Sequence, residues 1–346
     1  SLSSHSVLST NPATGASRIA FHRGAPVVVR SLPASISGDR RSLDRLKHIL
    51  AALSADNLAD FHVLPVQHVL LDHGGACEAI ARSAWPLSMA QVLDECAGAP
   101  LPPSTTLSVL YQVATACEHL HATAGAHGRL HCGNILFDPA TGGVAVADAH
   151  VARLTADSGL QAPPWPAYAA PELADPEAAA RVDSSTVSAT SASMSGDLAS
   201  SADVWALGVL AVHMGASAQL ATATPASLRE AARRSRAPFA DLALRCLADV
   251  PEDRPSATAL RRELEQLCTQ HGLPAAAPAR PARPARPAAA HDASRTSTPP
   301  PRADERRPSS PCSSLGSSSR SRSGSSPLLH LPLPLSLRGG DGLTDE

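Results

Sequence analysis

Ionisable and hydrogen-bonding side chains crowd two neighbouring stretches of this chain. They are His127-Gly128-Arg129-Leu130-His131-Cys132-Gly133-Asn134-Ile135-Leu136-Phe137-Asp138 and Val144-Ala145-Val146-Ala147-Asp148-Ala149-His150. Imidazoles can carry protons, and carboxylates and carboxamides can offer oxygen to a cation, whereas the guanidinium of Arg129 only donates and accepts nothing at any accessible pH. The seven cysteines (Cys77, Cys96, Cys117, Cys132, Cys246, Cys268, Cys312) form no C-x-x-C pair. They suggest neither a zinc site nor a redox motif, and read as free thiols in a reducing compartment.

Several elements would have to position these groups. Val27-Val28-Val29-Arg30 reads as a buried strand ending in a cation. Residues 40–53 carry Leu43, Leu46, Leu50 and Leu53 on one stripe, which predicts an amphipathic helix. Two strand-like runs, Phe61–Leu71 and Cys77–Ala84, joined by Asp72-His73-Gly74-Gly75, predict a hairpin. Leu107, Leu110, Val113, Cys117 and Leu120 recur at helical spacing over Ser104–Ala124, with Ser104 or Thr105 as the cap. Thr141-Gly142-Gly143 reads as a turn between two short strands, and residues 256–270 as a closing helix. Residues 175–201, rich in Ala, Ser and Thr, read as a flexible surface loop.

Taken in order, the V-V-V-R strand, the H-G-R-L-H-C-G-N-I-L loop and A-D-A-H resemble the motifs of eukaryotic protein kinases. So do Ala170-Pro171-Glu172, Asp203-Val204-Trp205-Ala206-Leu207-Gly208, and the C-L-x-x-x-P-x-x-R-P run from Cys246 to Pro255. The resemblance covers about residues 15–270. It implies a bilobal α+β fold with a small β-rich N-lobe (15–84) and a larger helical C-lobe (85–270). A flexible segment (1–14) would precede them and a disordered tail (271–346) would follow, with the interlobe hinge at Ala81–Ala84.

The resemblance also divides the residues by role. Glu172 and Arg254 would pair, and Asp203 would anchor the catalytic loop; these hold the large lobe together. The chemical positions have departed. Arg129 replaces the catalytic-loop aspartate, so no catalytic residue is expected, and His131 replaces the loop lysine. Arg30 stands at the strand-lysine position, where it would meet a nucleotide, and the 40–53 helix has no glutamate to pair with it. Gly15 alone stands where a glycine-rich phosphate loop belongs. Asn134 and Asp148 remain as the metal ligands should ATP and Mg²⁺ bind. The loop also looks like that of receptor guanylyl cyclase kinase-homology domains. A pseudokinase, regulatory or scaffolding, with weak or no nucleotide binding is the expected function. The alternatives are an atypical active Ser/Thr kinase and a docking scaffold whose tail carries the interactions.

Composition sets the remaining expectations. A formal charge of −2 over 346 residues gives no electrostatic case for nucleic acid. From residue 271 onward 10 Arg face 6 acids, leaving the first 270 residues near −6. Lys47 is the one lysine. The Pro/Ala/Arg/Ser composition after 271 cannot bury enough apolar surface to offset ordering entropy. Its P-x-x-P segments could present an extended left-handed helix to an SH3-like protein partner. No apolar run approaches 18 residues, so no membrane span is expected and the cytoplasm is the default. The chain opens on Ser1 rather than Met, as a fragment would.

Overall fold

The computed structural model describes residues 3–11, 15–23, 25–32, 44, 58–71, 77–149, 166–174, 189–216 and 223–273. The 40–53 helix lies outside these except for Asp44, which is helical. The tail beyond 273 and His150 lie outside them too.

Five antiparallel strands build the N-terminal sheet: β1 (Ser3–Asn11), β2 (Gly15–His22), β3 (Ala25–Ser31), β4 (Val66–Leu71) and β5 (Cys77–Ser83), in the order β1-β2-β3-β5-β4. The sheet corrects the expectation of a flexible segment at 1–14, because Ser3–Asn11 pairs along β2 from Ser3↔Phe21 to Asn11↔Gly15. A Ser/Thr-rich strand has little apolar alternation to announce it, and the edge of β2 supplies its ladder partners.

Pleating sends alternate side chains of β3 and β5 to opposite faces. Val27, Val29, Ala79 and Ala81 pack with Ala20 on one face. The register pairs Arg30 with Ile80 and Val28 with Arg82, so both arginines lie on the other face as diagonal neighbours. Both faces of β3 are covered, and Val27, Val28 and Val29 are all buried. That explains its unbroken valine run.

A second small sheet holds β6 (Leu87–Ser88), β7 (Ile135–Asp138) and β8 (Gly143–Val146). Asp138 shapes the β7–β8 turn by accepting from the Ala140 N–H at 2.9 Å and the Thr141 hydroxyl at 3.0 Å. The segment before β4 is stitched to β8 by a parallel bridge from Val63 to Val146. Leu64 N–H donates to the Val146 carbonyl at 2.8 Å, and Val146 N–H to the His62 carbonyl at 2.7 Å.

The described helices are α1 (Met89–Glu95), α2 (Pro103–Thr123), α3 (Pro171–Ala174), α4 (Ala189–Gly215), α5 (Pro225–Arg234), α6 (Ala240–Cys246) and α7 (Ala257–Gln270). Leu107, Leu110, Val113, Cys117 and Leu120 of α2 are all buried. The start of α2 differs from expectation. Pro103 takes the first helical position, where its missing N–H costs nothing, and no side chain caps the end. Helix α4 corrects the reading of 175–201 as a loop, since its first thirteen residues, 189–201, are helical. Ala, Met and Leu are good helix formers, and the Asp203-Val204-Trp205 helix extends back through them.

Within α4, Leu198–Gly215 is long and apolar enough by composition to cross a membrane, although no apolar run was expected to approach that length. It is 67% buried and serves as the central core helix. Gly208 is required there, because a Cβ would sit 2.8 Å from Cys246 Cβ and 2.9 Å from Leu247 Cγ of the crossing segment.

Candidate active site

The loop at 127–134 is held from below by Asp203 on α4. The buried carboxylate accepts from His127 N–H at 2.6 Å and Gly128 N–H at 2.9 Å, and contacts His121 Nε2 at 2.9 Å. Gly128 turns at φ +75°, a backbone state open to glycine. His127 then ties the two chemical stretches together. Its Nε2–H donates to the Ala147 carbonyl at 2.9 Å, and its Nδ1 accepts from Arg129 N–H at 3.2 Å, an arrangement that requires the neutral Nε2–H tautomer.

Asn134 ends a 3-10 turn, Cys132–Asn134, capped by His131 Nδ1 accepting from Gly133 N–H at 3.1 Å. The Asn134 amide donates to the Arg129 carbonyl at 2.9 Å. The Asn134 carbonyl accepts from Ala147 N–H at 2.8 Å, which sets Asp148 beside the loop. Asp148 adopts φ +67°, a left-handed state that aspartate tolerates better than most residues.

Burial first, then the neighbouring His127 ring and the Arg129 guanidinium, push the His131 pKa down to about 3, so His131 is neutral near pH 7. Burial above all pushes the Cys132 thiol up to about 12, which removes it as a nucleophile.

Arg30 and Asp148, 118 residues apart, form an ion pair. Arg82 Nε approaches the other carboxylate oxygen of Asp148 at 3.7 Å. Arg129 feels both Arg30 and Asp148. Its pKa is lowered, chiefly by burial and then by Arg30, with Asp148 opposing. Arg82 is likewise lowered, chiefly by burial, with Asp148 opposing and Arg30 adding. The side chains of Arg30, Arg82 and Asp148 are only 16%, 18% and 8% exposed, so these charges interact with little screening.

The residues here do not fit Mg²⁺. Of the two expected ligands, Asn134 offers one amide oxygen and Asp148 is already matched by a guanidinium, with two more nearby. Among the described residues no group of three His, Cys, Asp or Glu could hold a metal ion. A divalent cation would have to displace Arg30 and then face three guanidinium groups.

The scaffold residues meet as the resemblance implies. Arg254 forks onto Glu172 at 2.6 and 2.8 Å. It also donates from Nε to the Ala248 carbonyl at 3.0 Å and from Nη1 to the Ser201 carbonyl at 3.1 Å. It stacks 5.2 Å from the buried ring of Trp205, whose indole N–H donates to the Ala167 carbonyl at 3.1 Å. Sequence reasoning missed Arg82 and the clasp made by His127. Arg82 lies in the strand-like run Cys77–Ala84, but only the β3–β5 register puts it on the face of Arg30.

Three solved structures of the Mycobacterium tuberculosis PknI kinase domain share the fold. A double mutant aligns with TM-score 0.54 and 19% identity, over 77% of this chain and 94% of that one. Another structure gives 0.53 and 19% over 79% and 96%, and a single mutant 0.53 and 19% over 77% and 94%. No curated protein sequence matches this chain. The sequence model described as protein tyrosine and serine/threonine kinase matches residues 86–264, just over half of the chain. This chain therefore belongs to the protein kinase family.

Proposed function

We propose that this domain acts as a pseudokinase, a kinase-like regulatory or scaffolding module that does not transfer phosphate efficiently. The observation that carries the reading is the Arg30–Asp148 ion pair, beside an arginine where the loop needs an acceptor. A general base contributes ~10²–10⁴ in rate, and Arg129 cannot act as one. Phosphoryl transfer otherwise depends on metal and cation clamps, and here the acid that would hold the metal is spent on a protein cation. Asp203, Glu172 and Arg254 support the fold independently of these losses. Protein partners, including readers of the P-x-x-P segments after residue 271, belong to the same reading.

The test is phosphate transfer from radiolabelled ATP with Mg²⁺, in wild type and Asp148→Ala, alongside a thermal-shift titration. The reading expects no transfer above background and no Mg²⁺-dependent shift. Transfer that vanishes in Asp148→Ala would establish the rival reading, an atypical active kinase.

A further inference from the structure

Two guanidinium groups meet one carboxylate in the cleft, Arg30 by direct ion pairing and Arg82 at 3.7 Å, and the loop held by His127 carries a third, Arg129. His131, neutral near pH 7, adds no charge. The cluster therefore carries a net charge of about +2 in a poorly hydrated place, with one acid to satisfy it. Arginine forks suit tetrahedral oxyanions, because each offers paired donors in a fixed plane. The β3–β5 register sets two of the forks rigidly side by side, and the Asp203-anchored loop brings the third.

We infer that this cleft binds a small phosphate-class oxyanion without a divalent metal and without reading a nucleoside. The proposal rests on the pseudokinase reading of the same cleft and adds its ligand. The bound anion replaces Asp148 as the partner of Arg30 and Arg82, and takes a third fork from Arg129. Asp148 is then a competitor of the ligand. At an active metal site the same residue would be an essential ligand, so the sign of its substitution discriminates. Metal would weaken binding by neutralising the anion. Arg82 occupies the sheet face beside Arg30, so a purine base adds nothing to the affinity.

The experiment measures binding to the full chain in EDTA by calorimetry and thermal shift. The probes are inorganic phosphate, pyrophosphate, tripolyphosphate, ATP and adenosine. Affinity should rise from phosphate to tripolyphosphate and fall with added salt, adenosine should not bind, and ATP should bind no tighter than tripolyphosphate. Asp148→Asn should tighten tripolyphosphate about tenfold or more, since a charge at contact distance is worth at least that much. Arg82→Met and Arg129→Gln should each weaken it about tenfold. The ligand-free melting temperature of each variant identifies misfolding, and Asp148→Asn remains decisive because it predicts a gain. The inference is overturned if no anion binds in EDTA, or if binding survives both arginine substitutions and so belongs to the Arg-rich tail. It is also overturned if Asp148→Asn abolishes binding, or if ATP binds more than about tenfold tighter than tripolyphosphate. Phosphate transfer would instead sink the pseudokinase reading, so the two failures are separable.

Discussion

Glu172→Ala offers the most quantitative test of the scaffold. The Arg254 side chain is fully buried and makes four hydrogen bonds, two of them to Glu172 and two to the Ser201 and Ala248 carbonyls. The substitution removes the two charge-assisted bonds, worth ~1.5–3 kcal/mol each, and the only counter-charge in the fork. An orphaned buried ion costs ~3–5 kcal/mol, and the two routes agree. Glu172 is itself 16% exposed, so entering water partly relieves the cation and the lower end is expected. At ~2–4 °C per kcal/mol for a domain of this size, the melting temperature should fall by about 6–20 °C. Urea unfolding followed by tryptophan fluorescence gives the free energy directly, because Trp205 lies against the guanidinium. Pairing Glu172→Ala with Arg254→Met in a double-mutant cycle should return a coupling of ~2–3 kcal/mol, since losing both partners leaves no uncompensated charge. A Glu172→Ala cost below ~1 kcal/mol, or a coupling within ~0.5 kcal/mol of zero, would refute the buried-ion argument.

Three further outcomes follow from the same structure. The pKa of His131 is about 3 in the folded chain against 6.5 for the free side chain. The unfolded chain therefore binds the extra proton between those values, and stability should fall as pH drops below 6.5, by up to ~1.4 kcal/mol per unit. His131→Asn keeps an acceptor for Gly133 N–H and should flatten that slope in urea titrations at pH 4–7. Gly208→Ala gains up to ~1 kcal/mol of helix propensity but forces a methyl against Cys246 and Leu247 at a cost of ~1–3 kcal/mol, so the urea midpoint should drop. Asp203→Asn exchanges the carboxylate that serves His127 and Gly128 for a neutral amide, at ~2–4 kcal/mol, and hydrogen exchange at those two amides should accelerate.

The frame of the site was legible because its parts are local motifs at fixed spacing. Asp203, His127–Asn134 and Asp148 each sit inside a recognisable stretch, and Glu172 with Arg254 follows from the resemblance although 82 residues separate them. The electrostatic character of the cleft was not legible. Arg82 looks like an ordinary strand cation until Val28↔Arg82 pairing puts it beside Arg30, and register is a tertiary fact. Strand β1 escaped because edge pairing, rather than its own alternation, makes it a strand. The early part of α4 escaped because Ala- and Ser-rich sequence suits a helix or a loop, and continuity with a buried helix decides between them. Helix α2 starts on Pro103 without a side-chain cap, so the hydroxyl cap expected at Ser104 or Thr105 is not formed.

The stitch between Phe61–Leu64 and β8 has a mechanical meaning. The N-terminal sheet meets the rest of the chain covalently through Ser83–Leu87. It meets it again where His62, Val63 and Leu64 clamp Val146 and where Phe61 stacks on His119 at 4.0 Å between ring centres. A body pinned at two separated points keeps one easy rotation, about the line joining the pins, like a door on two hinges. Ala147 and Asp148 follow directly after one pin, so they travel least when the door swings. Strand β1 lies at the far edge of the sheet and travels most.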